Sequence, residues 1–144
     1  MIKIAYRNLS LFILAAFTLA ACAPAAGLDA TSWRLDSYQT AQGEMRDALP
    51  QVVVTADFQA NQVSGLSGCN NYSGSYQASG NSLEFGQIAT TLKLCVEPLG
   101  IMEQEADFLQ ALQSVAEYKV TGRTLEMSDD GGDVLLVFTN ASGE

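Results

Sequence analysis

The residues best suited to chemistry in this chain of 144 are three cysteines, Cys22, Cys69 and Cys95, and a few grouped acids. A thiolate is a nucleophile and a metal ligand, and two thiols can close a bridge. Histidine is absent, which removes imidazole-activated nucleophiles and the commonest zinc ligand sets. Cys69 sits in the stretch densest in unusual residues, Gly65-Leu66-Ser67-Gly68-Cys69-Asn70-Asn71-Tyr72-Ser73-Gly74-Ser75-Tyr76. A thiol-based hydrolase or redox enzyme built on it would use Cys69 as nucleophile and Asn70 and Asn71 as oxyanion donors. No neighbouring base is visible to activate such a cysteine. The plainer reading makes Gly65, Gly68 and Gly74 positions of positive φ or close backbone approach. Asn70 and Asn71 then satisfy turn backbone, and Tyr72 and Tyr76 pack with Trp33 and Phe85. On that reading no residue is catalytic, and neither a cofactor nor a metal is expected.

The grouped acids have similar plain explanations. Glu103, Glu105 and Asp107 fall in the early turns of a predicted helix, where negative charge complements the helix dipole. Asp129 to Asp133 (DDGGD) lacks the ligand spacing and closing glutamate of an EF-hand loop and reads as a hairpin turn.

Cys22 has a different setting. Lys3 and Arg7 precede an uncharged apolar run, Leu11 to Ala21, with small residues before the cysteine. These are the three parts of a secretory signal, and the run is shorter than the ~20 residues of a membrane span. Leu19-Ala20-Ala21-Cys22 resembles the lipobox of bacterial lipoproteins, which implies cleavage before Cys22 and lipid on it. The alternative is an ordinary signal peptide cut at a later alanine. Lipidation would tether the chain to a membrane through its acyl chains. Ala23 stands where an inner-membrane retention signal places Asp, so the expected location is the outer membrane, facing the periplasm. The expected organisation is residues 1–21 as signal peptide, 22–30 as lipidated N-terminus and tether, and 31–144 as one domain.

With the leader removed, five bases remain against sixteen acids, a net charge of −11. Such a surface repels phosphate backbones, and nucleic acid is not an expected partner. The remaining two cysteines, Cys69 and Cys95, enter an oxidising compartment, which favours a disulfide. Two free buried thiols or a reactive pair are the alternatives.

The elements that must position these residues are mostly strands. Alternating apolar residues mark strands at 31–35, 51–58, 62–66, 72–77, around Leu83 and Phe85, and at 88–94. Turns are expected at Ala60-Asn61, Ser79-Gly80-Asn81 and Thr121-Gly122-Arg123, and a loop over 39–47. Between Ile101 and Ala116 the period becomes helical, with Ile101, Met102, Leu109, Leu112 and Val115 on one stripe. Three strands follow, the last being Val134 to Phe138. The fold class is mainly β with one helix (α+β): a compact, curved antiparallel sheet or small barrel, with the helix inserted before the last three strands.

Taken together, Trp33-x-Leu35, Val63-x-Gly65-x-x-Gly68-Cys69-Asn70-x-Tyr72-x-Gly74-x-Tyr76, Ala89-Thr90-Thr91-x-x-x-Cys95 and Glu105-x-x-Phe108-Leu109-x-x-Leu112 resemble the META-domain family, the HslJ-like proteins. Leu92-Lys93-Leu94 departs from the arginine-methionine-small run of many relatives. The resemblance implies a curved antiparallel β-structure with a packed helix, an envelope location and an association with stress response. It supplies no catalytic residue. The expected role is a non-catalytic envelope module that binds an envelope protein or a small apolar ligand, with the oligomeric state left open.

Overall fold

The computed structural model describes residues 27–141. The leader, Cys22 and the first part of the tether lie outside the described residues. The elements in chain order are β1 (Thr31–Gln39), β2 (Met45–Asp47), β3 (Thr55–Gln59), β4 (Gln62–Leu66), β5 (Asn71–Ser79), β6 (Ser82–Phe85), β7 (Ala89–Thr90), α1 (Ile101–Gln113), β8 (Glu117–Thr121), β9 (Thr124–Ser128) and β10 (Val134–Asn140). Eight strands run antiparallel in the order β1-β3-β4-β5-β6-β8-β9-β10, and β10 returns to pair with β1. The sheet is therefore a closed barrel, with β2 added beside β1 and β7 beside β5.

Alternation along most of the barrel strands fills the interior that this closure creates. Ala56, Phe58, Val63, Tyr72, Tyr76, Leu83, Leu125, Met127, Leu136 and Phe138 are buried, while intervening residues such as Asp57, Ser64, Ser73 and Glu126 are exposed. An eight-stranded barrel has an interior just wide enough for side chains to fill it. Aromatic edges do much of the filling, with Phe58 and Tyr76 centred 5.0 Å apart at near right angles. At the β3–β4 turn Ala60 and Asn61 both adopt positive φ, 50° and 62°. That conformation matches the strand twist of a two-residue hairpin.

The barrel has two distinct ends. At one the chain enters through buried Leu28, whose carbonyl accepts a hydrogen bond from the Thr31 hydroxyl. The Ala60 N–H donates to the Asp29 carboxylate there (2.6 Å), and β10 finishes beside it, with the Asn140 N–H on the Arg123 carbonyl (2.8 Å). α1 lies across the opposite end. Its Phe108 is fully buried and meets Tyr72 of β5 at 5.5 Å and Phe138 of β10 at 6.4 Å.

Several expected boundaries shift. The loop expected over 39–47 contains β2, which pairs with the end of β1. The strand expected over 51–58 starts at Thr55, although Val52 and Val54 ahead of it are buried and Val54 bridges Ser67. The helix ends at Gln113. The largest difference is at 88–94, where only Ala89–Thr90 pairs; β5 begins at Asn71, opposite Thr91, and leaves residues 92–94 no strand to pair with.

Candidate functional site

The cysteine-bearing loop closes over the helix end of the barrel, and one carboxylate organises it. Glu105, only 5% exposed, accepts from the Ser67 hydroxyl (2.7 Å), the Cys69 N–H (3.0 Å) and the Asn70 N–H (2.7 Å) through Oε2, and from Asn70 Nδ2 (2.6 Å) through Oε1. Hydrogen bonds to an ionised acceptor are roughly twice as strong as neutral ones, so a helix-borne carboxylate can hold a loop that has no regular structure. Expected as one of three dipole-complementing acids, Glu105 instead belongs to the core. A signal was present: Ile101, Glu105, Phe108 and Leu112 recur at helical spacing, which places this carboxylate within the apolar stripe.

The neighbouring helix residues act in the same way toward other loops. Gln104 Oε1 accepts from the Leu49 N–H (2.7 Å) and Asp107 from the Ala41 N–H (3.2 Å), and both side chains are buried. Of the three acids only Glu103 is exposed; it stands in the first helical turn, 3.7 Å from Arg46. α1 thus fastens three loops across the barrel mouth with side-chain acceptors on one inward face.

Asn70 carries the network outward to the next segment. Its Oδ1 accepts from the Lys93 N–H and the Thr91 hydroxyl, both at 2.7 Å, and its Nδ2 also donates to the Lys93 carbonyl (3.2 Å). Cys69 and Cys95 form the disulfide, with Cα atoms 5.9 Å apart and 26 residues of separation. Asn70 therefore caps backbone as expected. The Asn71 side chain differs, being exposed and without a hydrogen bond among the described residues; only its backbone joins, through Thr91.

The glycines permit this close assembly. Gly68 has φ of +119°, a region that side-chain-bearing residues avoid, and a Cβ there would lie 3.2 Å from Val52. At Gly65 a Cβ would overlap the Thr55 carbonyl, and at Gly74 it would meet the Ile88 side chain and the Gln87 carbonyl. Tyr72, between them, donates its hydroxyl to the Thr55 carbonyl (2.7 Å), and burial pushes its phenol well above the usual tyrosine range.

The Cys69 sulfur is in a covalent bridge, and the Asn70 amide and Glu105 carboxylate are occupied by one another and by backbone. An open depression of about 410 Å³ adjoins the loop on the outer face of β3–β5, bounded by Thr55, Asp57, Ser64, Leu66 and Tyr72. Among the described residues no group of three or more His, Cys, Asp or Glu side chains could hold a metal ion. In the DDGGD turn, Asp129 accepts from the N–H groups of Gly131 (3.0 Å) and Asp133 (2.9 Å).

The geometry has recognisable relatives. The META domain pattern matches residues 26–142. A protein from Burkholderia xenovorans, solved by NMR, is 31% identical, with a TM-score of 0.66 over 80% of this chain and 84% of that one. A second NMR structure (19% identity, TM-score 0.58, covering 78% and 91%) shares the fold. So does the crystal structure of a DUF4847 family protein from Bacteroides vulgatus (15% identity, TM-score 0.56, covering 78% and 93%). No curated protein matches the chain. The chain belongs to the META domain family.

Proposed function

We propose that this protein is a lipid-anchored envelope protein whose META domain binds rather than catalyses, held at Cys22 on the periplasmic face of the outer membrane. The observation that carries the binding half is the closed state of the cysteine loop: Cys69, Asn70 and Glu105 are all engaged in holding structure. A nucleophile needs a free thiolate and a base, and this loop offers neither. The anchoring half rests on Leu19-Ala20-Ala21-Cys22 and the leader before it. The remaining organisation follows from these: residues 1–21 are removed, and a short tether leads from Cys22 to the barrel, which the chain joins at buried Leu28. Support of the envelope under stress is the physiological setting that the family suggests.

Two measurements test the two halves separately. The mature protein should partition into detergent with an acyl mass on Cys22, and Cys22→Ser should abolish both. Identical partitioning and mass in the variant would remove the anchor. A thiol-reactive probe at neutral pH should leave native Cys69 and Cys95 unlabelled. Rapid labelling of Cys69 would replace the binding reading with thiol-based catalysis.

A further inference from the structure

The segment that follows β7 exposes aliphatic side chains to a degree found nowhere else among the described residues. Leu92 is 95% exposed, Leu94 82%, Val96 77% and Leu99 90%. Isolated exposed leucines are ordinary, but a contiguous apolar patch on a small protein marks an interaction site. This one is also built. Lys93 is held through both its N–H and its carbonyl by Asn70, Thr91 is bound to Asn70 and Asn71, and Cys95 is bridged to Cys69. The backbone of Lys93 and the bridge at Cys95 thus fix the segment between and beside the exposed side chains of Leu92, Leu94 and Val96. The Glu105–Asn70–disulfide network therefore keeps this ridge from collapsing onto the barrel.

We infer that residues 92–99 form a preorganised apolar docking ridge for another envelope protein, one presenting an apolar cleft with a basic rim. The inference rests on the binding reading above and names its surface. Topology argues against the chain's own bilayer as occupant. The chain enters the barrel at the Leu28 end, whereas the ridge stands at the helix end; along β5 the two levels, Asn71 beside Thr91 and Tyr76 beside Asn61, lie ~17 Å apart at ~3.3 Å per residue. Charge argues for a basic rim. The loops and first helical turn beside the ridge carry Glu44, Asp47, Glu97 and Glu103 against Arg46 and Lys93. Arg46 is already within 3.4 Å of Glu44 and 3.7 Å of Glu103. The same acidic collar opposes a second copy. Four side chains meeting their own image would also fall short of the ~800 Å² per partner of a stable interface. A cleft that encloses the ridge from both sides buries more of each side chain.

The test places a photo-reactive phenylalanine analogue at position 94, and separately at exposed position 64 on β4, in the full chain in its own bacterium. A discrete heterologous protein adduct is expected from 94 and not from 64. That partner, once identified and purified, should bind the wild-type chain and lose about tenfold or more in affinity to Leu94→Ser or Leu92→Ser. Affinity should also fall with added salt. Both variants should keep the disulfide and the thermal midpoint, since neither side chain is packed. No adduct at 94, or unchanged affinity in both folded variants, overturns the inference. An adduct of twice the chain mass assigns the ridge to self-association instead. Ridge-dependent flotation of the Cys22→Ser chain with vesicles of phosphatidylethanolamine and phosphatidylglycerol assigns it to lipid. A lipidated chain without the adduct sinks this inference alone, while an unlipidated chain that still forms it sinks the anchor alone.

Discussion

Glu105 replaces most of what regular structure would otherwise provide at the helix end. Its four donors come from residues 67, 69 and 70, a turn with no ladder of its own. Glu105→Gln keeps the shape but turns an NH₂ group toward donors, leaving at least one buried N–H or O–H unpaired. The expected cost is about 2–3 kcal/mol, read from the urea midpoint at constant m-value. A loss below a few tenths of a kcal/mol would mean that the loop is held by the disulfide alone. Sequence made this residue hard to assign, because three acids in early helical turns have a sufficient explanation in the dipole. Only the overlay of Glu105 on the Ile101–Phe108–Leu112 stripe separates it from Glu103, which does face solvent. The role of Asn70 as a backbone cap was legible from its residue type, but its reach to Lys93 was not, since no local pattern encodes a contact over 23 positions.

Among the elements, β7 and the segment after it show where a periodic pattern misleads. Leu92 and Leu94 alternate as a strand would, yet alternation reports only that one side differs from the other. Here the inward side is backbone bound to Asn70 and the outward side is solvent. The bridge between Cys69 and Cys95 is the covalent part of that arrangement, and closing 26 residues stabilises by about 3–4 kcal/mol in the chain-entropy model. Replacing both cysteines with alanine should lower stability by that order. Amide exchange should rise selectively over residues 91–99 while β9 and β10 stay protected. Uniform acceleration across the barrel would show that the bridge supports the whole fold rather than the ridge.

At the scale of the molecule, the order and type of elements were legible because hairpin turns and the change to helical period are local signals. Closure was not: β1 and β10 lie about a hundred residues apart, and nothing near either strand announces the other. Closure buries tyrosines along with the aliphatic core, which gives stability a pH dependence. Burial, first among the causes, raises the phenol pKa of Tyr38, Tyr72 and Tyr76, with Asp107, Asp57 and Asp29 respectively adding to it. A raised folded-state pKa means that the contribution is intact below the unfolded value near 10 and is lost as pH climbs beyond it. Unfolding free energy should therefore decline above about pH 10, and Tyr72→Phe should flatten the decline. Equal slopes in the two proteins would contradict this assignment.

The placement of β1 has a mechanical consequence. This strand is gripped by β10 along one side and by β3 and β2 along the other, and the chain enters it from the Leu28 end. Tension between that entry and the ridge at the opposite end runs along the strands, so many inter-strand hydrogen bonds are sheared together. Tension between the two chain ends is different, because β1 begins beside the place where β10 finishes, with Trp33 opposite Asn140. That direction opens the β1–β10 seam one pair at a time, so the barrel is strong along its axis and weak at its seam.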